Sequence, residues 1–211
     1  MACWKREPFA LERYKQLFEE DWIEGQSDMV MGWDGEEEQH RESAWTTLEH
    51  YFRETPIKPD ERPEAVEVCA EAELPGLPRL IGIIDLIRAG GRIVDFKSAA
   101  KTPDVDQLAH QNEVQTSCYA LLYRDSTGRM EQDIELHHLV KTKTPKLVVT
   151  ALGPMTDHQE MRLYRTIESY VEGMERQDFV PSPGLHCSSC EFYQECRRWN
   201  GKELCPGAIA G

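Results

Sequence analysis

The sequence predicts a β-sheet with helices packed on it, of α/β or α+β class. Three observations lead there. The 211 residues amount to one domain, or one domain with a small appendage. Apolar residues recur at helical spacing up to about residue 54, and in short alternating or continuous runs from residue 65 onward. Three prolines within 56–63 separate the two regimes. The resulting order is two helices, three strands, a helix, two strands, a helix and a tail.

Taken in turn, residues 7–24 place Phe9, Tyr14, Leu17, Phe18 and Trp22 on one helical face. A second helix over 36–54 buries Ala44, Trp45, Leu48, Tyr51 and Phe52. Alternation over 65–74 reads as a strand, followed by a turn at Leu74-Pro75-Gly76-Leu77-Pro78. Strands over 79–87 and 92–97 are joined by a tight Ala89-Gly90-Gly91 turn. Residues 104–124 read as one helix with Asp104 as its cap. After a turn at 126–129, a strand pair occupies 135–141 and 146–150, and the last long helix spans 157–176. The chain thus divides into a helical part (1–64), a core (65–180) and a cysteine-bearing tail (181–211). No internal repeat or low-complexity tract interrupts it.

Composition narrows the class. With 40% hydrophobic and 29% charged residues the chain reads as globular rather than disordered. No apolar run approaches the ~20 residues that cross a membrane, and the first residues lack the apolar segment of a signal peptide. A cytoplasmic setting is the default expectation. The net charge of −14 argues against nucleic-acid binding, because phosphate contacts need Lys or Arg. Acids crowd 7–73, however, whereas Lys97, Lys101, Lys141, Lys143 and Lys146 lie in the middle of the chain, as a local basic track on an acidic body.

The chemistry concentrates in the hairpin. Asp85 stands in the apolar run Leu80-Ile81-Gly82-Ile83-Ile84-Asp85-Leu86-Ile87, and Asp95 in Ile93-Val94-Asp95-Phe96. A carboxylate in such a strand is costly to desolvate unless a cation compensates it. Two carboxylates plus the Phe96 carbonyl would supply part of the oxygen shell of Mg²⁺ or Mn²⁺, with water completing it. Lys97, two residues beyond Asp95, points to the same face. Its ammonium could orient an attacking water or stabilise charge building on a phosphate. A surface ion pair is the competing reading of Asp95-x-Lys97.

Gly82-x2-Asp85, Asp95-x-Lys97 and, on the following helix, Gln115-x3-Tyr119 together resemble the PD-(D/E)XK nuclease superfamily. Within it they are similar to the RecB-like exonucleases and the CRISPR-associated RecB-like exonuclease family, over roughly 65–196. The resemblance implies a restriction-endonuclease-like α/β fold, a mixed sheet with an αβββαβ core flanked by helices. It implies Asp85 and Asp95 as metal ligands and Lys97 as the catalytic lysine. Gln115 and Tyr119, one helical turn apart, would border the site and contact DNA. Family members add an acid or a histidine: Glu67 on the preceding strand and His40 on the second helix are the candidates, with His50 a weaker competitor. For both, a solvated surface residue is the alternative. His137 and His138 point opposite ways on one strand, so at most one faces the site, and neither is assigned a role.

Seven cysteines are present, four of them in the last 25 residues. Cys69 and Cys118 sit in apolar contexts and read as core residues. Cys187-x2-Cys190-x5-Cys196 gathers three thiols in ten residues, a spacing suited to tetrahedral Zn²⁺ or an iron–sulfur cluster. In the nucleases it resembles, such a triplet holds a [4Fe–4S] cluster with a fourth cysteine near the N-terminus. Here the fourth ligand is Cys3 or Cys205, or it belongs to a longer N-terminus.

The expectation is a Mg²⁺- or Mn²⁺-dependent DNA nuclease. The resemblance implies an exonuclease acting on DNA ends or single strands in repair, recombination or phage-type DNA processing. No phosphate-binding Gly-x4-Gly-Lys-Ser/Thr loop appears, so a helicase motor or recombination factor would be a partner chain. The alternatives are a catalytically inactive nuclease-fold DNA-binding or scaffold module that keeps the metal cluster, and a zinc-ribbon DNA-binding protein.

Overall fold

A computed structural model describes residues 11–28, 36–58, 60–178, 187 and 190–198. Its elements run α1 (Leu11–Asp28), α2 (Glu37–Glu54), β1 (Ala65–Ala72), β2 (Leu80–Arg88), β3 (Arg92–Ala99), α3 (Val105–Gln111), α4 (Glu113–Thr127), β4 (Asp133–Val140), β5 (Lys146–Ala151), α5 (Asp157–Glu175) and α6 (Tyr193–Arg198). The expected order holds, with one division and one addition. The helix expected over 104–124 is two. Asn112 ends α3 and begins α4, and its side-chain amide donates to the Leu108 carbonyl at 3.0 Å. That side chain competes with the helix for a backbone partner. Asp104 caps α3 as expected, accepting from the Asp106 N–H at 3.1 Å. The addition is α6, a short helix in the cysteine segment.

The five strands form one mixed sheet in the order β1-β2-β3-β4-β5. β3 and β4 are parallel and the other neighbours antiparallel. A parallel pair needs a crossover connection, and α3 with α4 supplies it. The core lies between the sheet and α4 and α5: Ile84, Ile87, Ile93 and Ile134 meet Tyr119, Leu122, Tyr123 and Leu163. Each such side chain contributes roughly 1.5–3 kcal/mol by leaving water. Gly82 is where α4 comes closest to β2, since a Cβ there would stand 2.7 Å from Leu122 Cδ1. Gly91 in the hairpin turn has φ +78°, and a Cβ there would overlap the Tyr123 hydroxyl.

Alternation along β1 corrects one expectation. Ala70 and Ala72 take the buried positions, so Cys69, on the opposite face with Glu71, is exposed rather than in the core. Cys118 on α4 is half-buried, and burial pushes its thiol pKa up.

The other sheet face carries α2, with α1 stacked outside it. Tyr14 stacks on Phe52 at 4.2 Å, and Phe18 tilts against Trp45 at 5.7 Å. Phe9, expected on the same face, lies outside the described residues. Beneath α2 is a buried charged network. Arg88 donates two hydrogen bonds to Glu61 (2.7 and 2.8 Å) and one to Glu135 (2.9 Å). The Nε2 of His137 donates to Glu135 at 2.9 Å, and its Nδ1 lies 3.3 Å from the Tyr51 hydroxyl. Arg92 bonds Asp133 at 2.8 Å. Burial alone would raise the Glu135 pKa, but the His137 hydrogen bond and the Arg88 charge outweigh it and hold it low. The Arg88 hydrogen bonds likewise hold Glu61 low.

Candidate active site

The site is built where two strands part. β2 and β3 pair at Leu86–Val94, Ile87–Ile93 and Arg88–Arg92. One step further, at Asp85 and Asp95, the ladder stops: β2 continues with β1, and β3 with β4. The Phe96 N–H, left without a strand partner there, donates to Asp85 Oδ2 at 3.0 Å. On the far side of β2 the β1 ladder is also interrupted. Val66 pairs with Leu86 and Val68 with Ile84, and between them Glu67 adopts a left-handed φ of 47°. For a residue with a Cβ that conformation costs about 1–2 kcal/mol. Backbone strain of this kind collects at functional sites.

On the α4 face of this fork lies a compact polar cluster. Asp95 is only 2% exposed. Its Oδ1 accepts from the Gln115 amide at 3.0 Å and from the Tyr119 hydroxyl at 3.4 Å. Its Oδ2 lies 2.9 Å from the Lys97 ammonium, an ion pair that is its one partner among the described residues. Lys97 donates to Gln115 Oε1 at 2.6 Å, and the Gln115 amide also reaches Tyr119 at 2.9 Å. Gln115 therefore bridges the acid, the lysine and the phenol. Burial raises the Tyr119 pKa, and the charges of Asp95 and Asp85 add to that, while the Gln115 hydrogen bond opposes it. The phenol is held in its protonated, donating form.

Several other expected residues lie elsewhere. Phe96 turns its ring to the opposite face, edge-on to Tyr51 (5.7 Å) and His137 (5.6 Å), which leaves its backbone as the part near the carboxylates. His40 is exposed on the first turn of α2, 3.8 Å from Glu36. Eleven residues separate it from Tyr51, the α2 residue that touches Phe96, a rise of about 17 Å. Glu67 is exposed. Among the described residues no three His, Cys, Asp or Glu side chains are gathered to hold a metal ion, so neither His40 nor Glu67 completes a set with Asp85 and Asp95. His138 was assigned no role from sequence, yet it is the histidine on the site's face. It stands beside Lys97 in the parallel β3–β4 ladder, whereas His137 faces α2. Only strand register, which two adjacent histidines do not reveal, separates them.

Chemically, the cluster offers a hard cation the carboxylates of Asp85 and Asp95 at the fork, Asp95 Oδ2 being held only by the Lys97 ammonium. Lys101, Lys141, Lys143 and Lys146 are exposed at the ends of β3 and β4 and in the β4–β5 hairpin. Among the described residues they make no ion pair. In the tail, Cys190 and Cys196 are exposed and Cys187 half-buried. The Cys190 and Cys196 N–H groups donate to the Cys187 and Phe192 carbonyls at 3.4 and 2.9 Å. Cys3 and Cys205 lie outside the described residues. No helix among the described residues is long and apolar enough to cross a membrane.

Comparison with known proteins identifies the fold and the family. A provisionally named exonuclease from Eubacterium rectale superposes with a TM-score of 0.59 at 16% identity, covering 92% of this chain and 75% of that one. The structure of SSO0001 gives a TM-score of 0.47 at 13% identity, over 93% of this chain and 97% of that one. No curated protein matches. The first likeness concerns the fold, a five-stranded mixed α/β sheet flanked by helices. Residues 4–197 match the sequence profile of the PD-(D/E)XK nuclease superfamily, a stretch that includes the forked hairpin and its acids. The chain belongs to the PD-(D/E)XK nuclease superfamily.

Proposed function

We propose that this chain is a metal-dependent deoxyribonuclease of the RecB-like group, acting as an exonuclease on DNA ends or single strands. The observation that carries the reading is the Asp95–Lys97–Gln115–Tyr119 cluster set against Asp85 at the fork. Asp85, Asp95 and the Phe96 carbonyl would hold Mg²⁺ or Mn²⁺. Asp95 Oδ2, buried and held by no group other than the Lys97 ammonium, supports that fit. When bound, such an ion supplies charge neutralisation at the phosphate and a more acidic water.

The protein's own groups do the rest. Lys97, held by Gln115, presents a fixed positive charge where phosphate charge develops. Gln115 keeps Asp95 and Lys97 in register, and Tyr119 keeps a proton to donate. Lys101, Lys141, Lys143 and Lys146, exposed beyond the ends of β3 and β4, would give a DNA strand a positive approach on an otherwise acidic chain. Cys187, Cys190 and Cys196, with Cys3 or Cys205, would hold a [4Fe–4S] cluster, or Zn²⁺ in the alternative. The exposed Cys190 and Cys196 thiols are accessible to such a centre. A brown protein absorbing in the visible range after anaerobic purification supports iron–sulfur, and a colourless one supports zinc.

The test of the activity is degradation of end-labelled linear DNA with Mg²⁺ or Mn²⁺, alongside closed circular DNA and Lys97→Ala. The reading expects loss of linear DNA only, and none with Lys97→Ala. An inert wild type with both metals loaded would replace it with a non-catalytic DNA-binding or scaffold module.

A further inference from the structure

Three buried side-chain polar atoms among the described residues are poorly satisfied: His138 Nδ1 and Thr150 Oγ1 make no hydrogen bond, and Asp95 Oδ2 meets only the Lys97 ammonium. They are not scattered. Register pairs Asp95 with Leu136 and Leu136 with Thr150, and pairs Lys97 with His138, so all three stand in two adjacent rows of one sheet face. Buried polar groups are normally satisfied, and a local failure calls for a cause.

His138 is 6% exposed. Burial, then the neighbouring Lys97 charge, lower its pKa, with Asp95 opposing. The ring is therefore neutral, and a neutral imidazole keeps one acceptor nitrogen. Beside it, the Lys97 ammonium has three protons and two partners, Gln115 Oε1 and Asp95 Oδ2. The second is the carboxylate oxygen that a cation at the fork would take. If the ammonium had nowhere else to turn, it would compete with that cation for Asp95.

We propose that His138 is a positioning residue, the acceptor to which the Lys97 ammonium turns when Asp95 Oδ2 is committed to a cation. This rests on the reading of Asp85 and Asp95 as cation ligands. It makes His138 the group that lets Lys97 and a divalent ion occupy one site without mutual exclusion. Lys97 would then keep two acceptors, Gln115 and His138, and stay aimed at the fork.

The experiment is Mn²⁺ binding by titration calorimetry in the absence of DNA, with Asp95→Asn reporting binding elsewhere on the acidic surface. His138→Phe should weaken the Asp95-dependent binding roughly tenfold, the scale of one charge-assisted hydrogen bond. His138→Asn, which restores an acceptor, should recover most of it. In a Lys97→Met background, His138→Phe should change nothing, because there is no ammonium to rehouse. A merely structural histidine would weaken binding in both backgrounds, and that result overturns the proposal. So does wild-type affinity in His138→Phe. If wild type and Asp95→Asn bind Mn²⁺ alike, the cation reading falls and the His138 role with it. Should His138→Phe fail to fold, His138→Leu enters the same cycle.

Discussion

The two faces of the sheet at β3 both bury charge, and they treat it differently. Beneath α2, Arg88 is matched by Glu61 and Glu135, and Glu135 by His137. Every side-chain polar atom buried in that network has a hydrogen-bond partner. On the α4 face of the same strands, His138 keeps a buried nitrogen without one, and Asp95 Oδ2 has only the Lys97 ammonium. A closed network contributes rigidity, and removing one member strands the others. An open one costs stability in the isolated protein and leaves an atom ready for something from outside. The difference separates scaffold from site more sharply than charge or burial does, since both faces have plenty of each.

Substitutions can break this contrast. The largest expected effect is at the open face. Asp95→Asn should lower the rate of DNA cleavage at least about 10³-fold, a loss on the scale of removing an essential charge. Its unfolding free energy should change by no more than about 1 kcal/mol, because the partly exposed Lys97 ammonium can turn to water once its carboxylate partner is neutral. Single-turnover assays and urea denaturation read the two quantities. The closed face should show the reverse. Arg88→Met strips Glu61 and Glu135 of the guanidinium that hydrogen-bonds both and should cost about 3–5 kcal/mol in urea denaturation, with the cleavage rate per folded molecule unchanged. Gly82→Ala probes the packing of α4 on β2 behind the site. Its Cβ would press on Leu122, and overpacking of this kind costs about 1–3 kcal/mol.

The smallest effect is a change of slope with pH. The Arg88 hydrogen bonds hold Glu61 below its usual 4.5. A carboxyl depressed in the folded state contributes stability above its unfolded pKa, and loses it as pH falls through the folded value. Stability should therefore fall as pH drops below about 4.5, and fall less steeply in Glu61→Gln. Denaturation midpoints across pH 3–6 measure the difference.

What the sequence made legible was local. Asp104 as a cap, the Ala89-Gly90-Gly91 turn, and Gln115 one helical turn from Tyr119 depend on residues within four of each other, and each is where it was expected. Asp85 and Asp95 stood out because a carboxylate is anomalous in an apolar strand. What stayed illegible depends on register and on distant partners. The parting of β2 from β3 at the two acids follows from β3 pairing with β4, forty residues on. Nothing local marks Glu67 for a left-handed backbone. His137 and His138 look alike in the chain and go to opposite faces, one into the closed network and one beside Lys97. His40 was a candidate through the resemblance alone, and it stands on the first turn of α2, eleven residues before the Tyr51 that touches Phe96.

The central claim is that Asp95 Oδ2, held only by the Lys97 ammonium, takes a divalent cation, and thermal unfolding with and without Mn²⁺ addresses it without any substrate. A ligand at a hundred times its dissociation constant stabilises by about 2.7 kcal/mol. For a chain of this size that is roughly 5–10 °C in Tm. The account predicts such a rise for the wild type and none for Asp95→Asn. An unchanged wild-type Tm, or an equal rise in Asp95→Asn, would contradict it.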